Sequence, residues 1–466
     1  MHARPRAIAL LWLTLAAAAA GVTAAGTAPS EQEYWAEFDH RDWRGATETA
    51  ERLVAAARAD AVRQPLALSE ALALLGNAQL ASGDFVSAES SFREALQLAQ
   101  RHARAMSAKL LDPMRGLGYT LAASGKHEEA AGVLERALLV AHRNYGLFDP
   151  GQQGILRQLA ASLTRAGRLE EAGRRMAYLL QVAERAHGKD DPDLVPTLCI
   201  VGGWYSDVAQ FGAARETFHR ALQIVEKKKG PMDLAAVPAL RGLARSYTLE
   251  VYYSTLGVRV RSGRIPSDAD GSSNDRQPLD PRYLSSAGEK ALQRALDIIE
   301  AQPEPSLDQH IDTLIQLGDW MQTKHQPEDA LPLYRHAAQL IEQRAAQTQS
   351  GERGEPPEGP FSFPTRVWYP APWLATRNLT ASPEAVDERY VQLEFTVTSD
   401  GSVADAKVVD SDGSNRQIAQ SLEAIRAARY RPRFENGEPV DTPAVTHREV
   451  FRTRRSTPQS DQEVGS

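Results

Sequence analysis

The feature that most constrains this chain is a repeat of 42 residues. Ala88, Phe92 and Ala95 stand at spacings of four and three, and so do Ala130, Leu134 and Ala137, then Ala172, Met176 and Leu179, then Ala214, Phe218 and Ala221. The sets begin at 88, 130, 172 and 214, each 42 residues after the last. Upstream of each lies a second apolar set: Leu72, Leu75, Gly76 and Gln79; Met114, Leu117, Gly118 and Leu121; Leu156, Leu159, Ala160 and Leu163; Leu198, Val201, Gly202 and Tyr205. Spacings of three and four collect residues on one face of an α-helix, so each period holds two amphipathic helices. Gly83, Gly125 and Gly167 fall between the two helices of the first three periods, where a left-handed residue closes the first helix. One such hairpin cannot bury its own apolar stripe, so successive hairpins must stack.

The pattern extends both ways. Tyr34, Ala46 and Ala50 read as a degenerate first unit, and Leu240, Leu243, Ala244 and Tyr247 open a fifth full one. That unit is interrupted by a stretch rich in Gly, Ser, Asp and Pro, read as an inserted loop over 258–283. The helix resumes over Ala287–Ile299, and a last unit runs through Leu314, Leu317, Gly318, Ala330, Tyr334 and Ala337. Segments such as LALLGNAQLASGDFVSAESSFREAL and MRGLGYTLAASGKHEEAAGVLERAL resemble the tetratricopeptide repeat family, with a period longer than that family's usual value of about 34 residues. The resemblance covers about residues 30–345. It implies a mainly α fold, an α-α superhelix (solenoid), that binds a protein or peptide in a groove lined by the first helices.

Counting three residues back from each mid-helix Gly or Ala gives Ala73, Arg115, Arg157, Cys199 and Arg241, and the next groove positions are Asn77, Tyr119, Ala161, Gly203 and Arg245. The expected partner-binding groove is therefore Asn77, Arg115, Tyr119, Arg157, Arg241 and Arg245. Guanidinium forks pair with carboxylates, so the stripe implies an acidic segment or a C-terminal carboxylate. The same arginines also fit a plain solvated helix face.

Beyond a Gly- and Pro-rich linker at 346–363 the fold class changes. Val391, Leu393, Phe395 and Val397 alternate with Tyr390, Gln392, Glu394 and Thr396, the pattern of a half-buried strand. Asp400-Gly401 is a hairpin turn, Val403–Val409 the returning strand. Ser414 and Gln417 form a capping box ahead of a helical stripe of Ile418, Leu422 and Ile425. Arg431-Pro432 and Asn436-Gly437 break the chain before a last strand over Ala444–Phe451. Tyr369-Pro370, YVQLEFTVTSDGSVADAKVVDS and LEAIRAARYRPRFENGEPVDTPAV resemble the TonB C-terminal family, so residues 364–452 are expected to be a small α+β domain. The resemblance implies binding of an extended partner as an added strand, at an edge formed by Val445, Thr446, His447, Arg448, Glu449, Val450 and Phe451. The polar tail 453–466 is expected to be disordered and is an alternative cover for that edge.

At the other end, Arg4 and Arg6 precede an apolar run from Ala7 to Val22 and small residues at Thr23, Ala24 and Ala25, the pattern of a secretory signal peptide over 1–25. The chain is thus expected in the periplasm or cell envelope, or at the inner membrane if the run is retained. An envelope or outer-membrane protein is the expected kind of partner. A net charge of -7 gives no electrostatic basis for nucleic acid. Cys199 is the only cysteine, so no internal disulfide forms, and its apolar neighbours suit a small buried hydrophobe. No nucleophile elbow, phosphate loop or metalloprotease motif is present, and no cofactor or metal is expected. Asp268–Gly271 and Asp410–Gly413 read as turns, since each misses ligand positions of a calcium loop. Asn378-Leu379-Thr380 fits a glycosylation sequon. His310, His325 and His336 are spaced without a ligand pattern and are expected at the surface. The function implied is a scaffold rather than an enzyme. The alternative is a membrane-anchored, TonB-type energy transducer for outer-membrane transport, although a repeat array stands here where such proteins carry a Pro-rich stretch.

Overall fold

The computed structural model describes residues 30–255, 281–348, 359–371 and 386–454. The signal-like segment, the turn at Asp268–Gly271, the sequon at Asn378 and the tail from 455 lie outside them. By its internal contacts the chain divides into two compact units, 1–144 and 145–466.

The first unit is three antiparallel helical hairpins: α1 (Glu31–Asp39) with α2 (Trp43–Ala59), α3 (Pro65–Ser82) with α4 (Phe85–His102), and α5 (Leu111–Ala123) with α6 (His127–Tyr145). Side chains satisfy the free N–H groups at several starts: Ser30, Asp42 and Asp84 each accept from a backbone N–H three residues on. The expected core residues Tyr34, Ala46, Ala50, Ala88, Phe92, Ala95, Ala130, Leu134 and Ala137 are all fully enclosed. Phe92 is wedged between small residues: a Cβ built on Gly76 would lie 2.8 Å from its ring, and one built on Gly116, a helix further along, closer still.

The second unit begins with α7 (Gln153–Arg165), α8 (Leu169–His187), α9 (Val195–Asp207), α10 (Phe211–Lys228), α11 (Val237–Thr255), α12 (Pro281–Glu300), α13 (Leu307–Thr323) and α14 (Pro327–Thr348). Phe218, Trp320 and Tyr334 take the large-residue role here. Short 3-10 turns precede several first helices, and Ser107, Asp149, Asp191 and Asp233 each accept from the backbone N–H two residues on. These four are themselves 42 residues apart, a second periodic signal. Two boundaries differ from expectation. α12 starts at Pro281, inside the expected loop, because proline is favoured in the first helical turn. α14 runs to Thr348, inside the expected linker.

The C-terminal part follows the expected order and adds to it. β2 (Val386–Val397), β3 (Val403–Ser411), α15 (Asn415–Ala427) and β7 (Thr442–Arg454) form a three-stranded antiparallel sheet, in the order β3-β2-β7, with one helix. Its core is Val391, Leu393, Phe395, Val397, Ala424, Ile425 and Phe451. The capping box is present, with Ser414 and Gln417 bonding reciprocally. Not anticipated were β1 (Thr365–Trp368), which pairs with β4 (Arg429–Arg431), and a small hairpin of β5 (Arg433–Glu435) and β6 (Glu438–Val440). β7 also continues to Arg454, into the segment assigned to the tail.

The expected break at the linker is not where the chain divides. The last repeat and the C-terminal domain pack within one unit. Arg431 donates two hydrogen bonds to Asp319 of α13, at 3.0 and 2.7 Å, and the Tyr334 hydroxyl donates to the same carboxylate at 2.8 Å. Burial works against the Arg431 charge, but Asp319 outweighs it, so its pKa is raised. Phe361, in the expected linker, is buried and sits 4.7 Å from the Phe434 ring and 5.8 Å from Tyr334. The tip of the β2–β3 hairpin is held by Gln322, which donates to the Asp400 carbonyl at 2.8 Å.

Candidate functional site

A sheet offers main-chain hydrogen bonds only at its edges, and the two edges here differ. β3 pairs with β2 through two register shifts, one either side of Glu394, and Asp405 has a left-handed φ of 54°. Bulges of this kind disrupt an edge as a template. β7 pairs with β2 in unbroken register from Val386–Arg454 to Phe395–Val445, and the only shift comes after that, next to Ala444 with its φ of 57°. Among the described residues no strand pairs with the outer edge of β7. The expected edge residues Val445–Phe451 all lie within this regular stretch.

The alternation along β7 shows how the strand is held. Val445, His447, Glu449 and Phe451 face inward. Glu449 is a buried carboxylate that accepts from the Tyr369 hydroxyl and lies 3.1 Å from His447 Nε2. Burial, reinforced by the Glu449 charge, pushes the Tyr369 phenol far above its usual range, so it stays a donor. Arg366 stacks 4.7 Å over the Tyr369 ring. This cluster clamps the segment after β1 against the buried face of β7. On the other face Thr446, Arg448, Val450 and Arg452 are exposed. Arg448 lies 3.7 Å over the Tyr390 ring, and Arg452 bonds Glu388 at 2.7 Å. The result is a pre-straightened strand with an exposed cationic and apolar face, able to accept backbone and side-chain contacts from an extended segment.

The expected groove residues fall in both units. In the first, Asn77 and Tyr119 are half-buried, and Arg115 is bonded to Asp112 at 2.8 Å. Ala73, predicted to point into the groove, is buried instead. In the second, Arg157 is exposed, Arg241 contacts Asp312 at 3.2 Å and Gln316 at 3.1 Å, and Arg245 bonds Asp207 at 2.8 Å. Three of the four arginines thus have an intramolecular carboxylate. Cys199 is half-buried against apolar neighbours, and burial pushes its thiol up to about 12, as suits packing rather than nucleophilic chemistry. Asp410 and Asp412 accept from the Tyr390 hydroxyl and backbone N–H and so close the β2–β3 pair.

The histidine expectation needs correction. His325 is exposed, but His310 is only 6% exposed, and its ring lies 5.0 Å from that of His336. Glu300 joins them. The three come from α12, α13 and α14, so tertiary packing rather than sequence spacing brings them together.

Residues 387–452 match the family of Gram-negative bacterial TonB protein C-terminal domains, and residues 151–227 match the tetratricopeptide repeat family. No curated protein matches the chain significantly. Among solved structures, it is similar to a Podosopora anserina kinesin light chain protein of nearly identical TPR-like repeats, at 14% identity over 50% of this chain and 97% of that one, with a TM-score of 0.39. BtubC (BKLC) from P. vanneervenii shows 19% identity over 68% of this chain and 96% of that one, with a TM-score of 0.33. A Rap protein complexed with competence and sporulation factor shows 14% identity over 67% and 74%, with a TM-score of 0.36. No helix among the described residues is long and apolar enough to cross a membrane.

Proposed function

We propose that this chain is a cell-envelope interaction or scaffold protein that captures an extended segment of a protein partner as an added strand along β7, without catalysing a reaction. The observation that carries this reading is the regular outer edge of β7, with which no strand pairs among the described residues, beside a β3 edge spoiled by bulges. An added strand gains main-chain hydrogen bonds along such an edge, and its side chains meet alternate residues of the host strand. Matches to two protein-interaction families support the binding role. Arg4, Arg6 and the apolar run Ala7–Val22 support export to the envelope. The groove residues belong to the proposal as separate contacts within each unit, Asn77, Arg115 and Tyr119 in the first and Arg157, Arg241 and Arg245 in the second. A partner carboxylate competes with Asp112 in the first and with Asp207 and Asp312 in the second.

The test is recovery of partners from an envelope extract on the immobilised chain. Arg448→Glu with Val450→Glu keeps the helical circular-dichroism signal and lowers recovery by at least roughly tenfold, equivalent to about 1.4 kcal/mol. Unchanged recovery with that variant removes the strand-addition reading. Arg115→Ala tests the contact in the first unit and Arg157→Ala that in the second, and unchanged recovery with either variant removes the contact it tests. The mass of the native N-terminus distinguishes the two envelope roles. A soluble species starting near Ala25 or Gly26 fits the scaffold. A membrane-bound species that keeps Arg4 and Arg6 fits an anchored transducer.

A further inference from the structure

We propose that Glu300, His310 and His336 form a zinc-class metal site that ties together the three helices of the last repeats. Glu300 ends α12, His310 lies in the first turn of α13, and His336 lies in α14. One ligand atom from each falls within 4.8 Å of the other two. The decisive observation is His310 itself. It is 6% exposed, and its Nε2 is enclosed without a hydrogen bond from any described residue. The nearest carboxylate oxygen, Glu300 Oε1, is 3.5 Å away, too far for a good hydrogen bond. Buried polar nitrogens are normally satisfied.

That separation fits a metal ion better than it fits a contact. A tetrahedral zinc with bonds of about 2.1 Å keeps its ligands roughly 3.4 Å apart. Glu300 has a side chain 48% exposed and His336 is half-buried, so both can turn toward an ion held by the fixed His310. Two imidazoles and one carboxylate suit zinc or a neighbouring transition metal, whereas calcium and magnesium want oxygen ligands. Three protein ligands leave a fourth position open. The site stands independently of strand addition at β7.

The full chain, stripped with a chelator, is titrated with zinc by calorimetry and then melted with and without the ion. The expected result is one zinc per chain at micromolar affinity or tighter, a raised melting temperature, and visible absorption of the tetrahedral kind when cobalt replaces zinc. His336→Gln and Glu300→Gln, which sit at less buried positions and preserve the fold, each weaken binding by at least roughly tenfold. His325→Gln leaves it unchanged. Absence of micromolar binding, or full binding in both the His336→Gln and Glu300→Gln variants, overturns the proposal.

Discussion

At the scale of single residues, the left-handed position that follows six of the described first helices shows most directly how local chemistry serves the fold. Gly83, Gly125 and Gly167 occupy it with φ of 86°, 78° and 79°. The same position is Arg41, Ala209 and His325 in other hairpins, with φ of 60°, 58° and 59°. The glycines were legible in the sequence. The other three were not, because the geometry comes from the repeat and not from the residue placed in it. A Cβ in this conformation costs about 1–2 kcal/mol, partly offset by the extra freedom of glycine when unfolded. Ala209→Gly is therefore expected to stabilise the chain by about 1 kcal/mol, and Gly125→Ala to destabilise it by about as much. Urea midpoints measure both, and a destabilised Ala209→Gly contradicts the assignment. Arg431 and Asp319 lie 112 residues apart, so no local pattern reveals them. Asp319→Ala strands a guanidinium whose side chain is 12% exposed. It should cost about 2–4 kcal/mol, the low side of a fully buried pair because Asp319 is itself partly exposed. A double replacement of Asp319 and Arg431 by Leu should recover most of the loss. Amide exchange in β2 and β7 reads both, and additive losses remove the coupling.

At the scale of elements, period alone located most of what is present. Spacings of three and four marked the paired helices, and strict alternation marked β2, whose inward residues Val391, Leu393, Phe395 and Val397 are all fully buried or nearly so. Asp400-Gly401 made the turn, and Ser414 with Gln417 opened α15. What escaped were elements too short to show a period. β1 and β4 exist because they pair with each other across 60 intervening residues, and β5 and β6 close on Asn436-Gly437. Helix packing rests on the wedge of Phe92 between Gly76 and Gly116. Gly116→Ala forces that ring against its opposite wall, and overpacking of this kind costs about 1–3 kcal/mol. Phe92→Leu in the same chain should relieve part of it. If thermal melts show Gly116→Ala as stable as the parent, the wedge does not limit the approach of α3 and α5.

At the scale of the whole molecule, the candidate site was legible only in part. The β7 edge could be named because a last strand read over Ala444–Phe451 coincided with the strand addition that the TonB C-terminal resemblance implies at Val445–Phe451. The clamp beneath it could not, because Tyr369 and Arg366 reach Glu449 and His447 from some 80 residues away. Nor could the union of the last repeat with the C-terminal domain, which depends on Asp319, Gln322 and Phe361 meeting strands that no periodicity links to them. That union puts the β7 edge in one compact unit with the last repeat, and the central claim is that this edge takes the partner. The most direct test is residue-resolved amide exchange of β7, with the chain alone and with a partner bound. In the free chain, alternate amides from Val445 to Arg452, those pointing away from β2, should exchange fast while their neighbours stay protected. With partner bound, those outward amides should become protected as well. If partner binding leaves β7 unchanged and protects α5 or α11 instead, the repeats hold the partner and the strand-addition account is wrong.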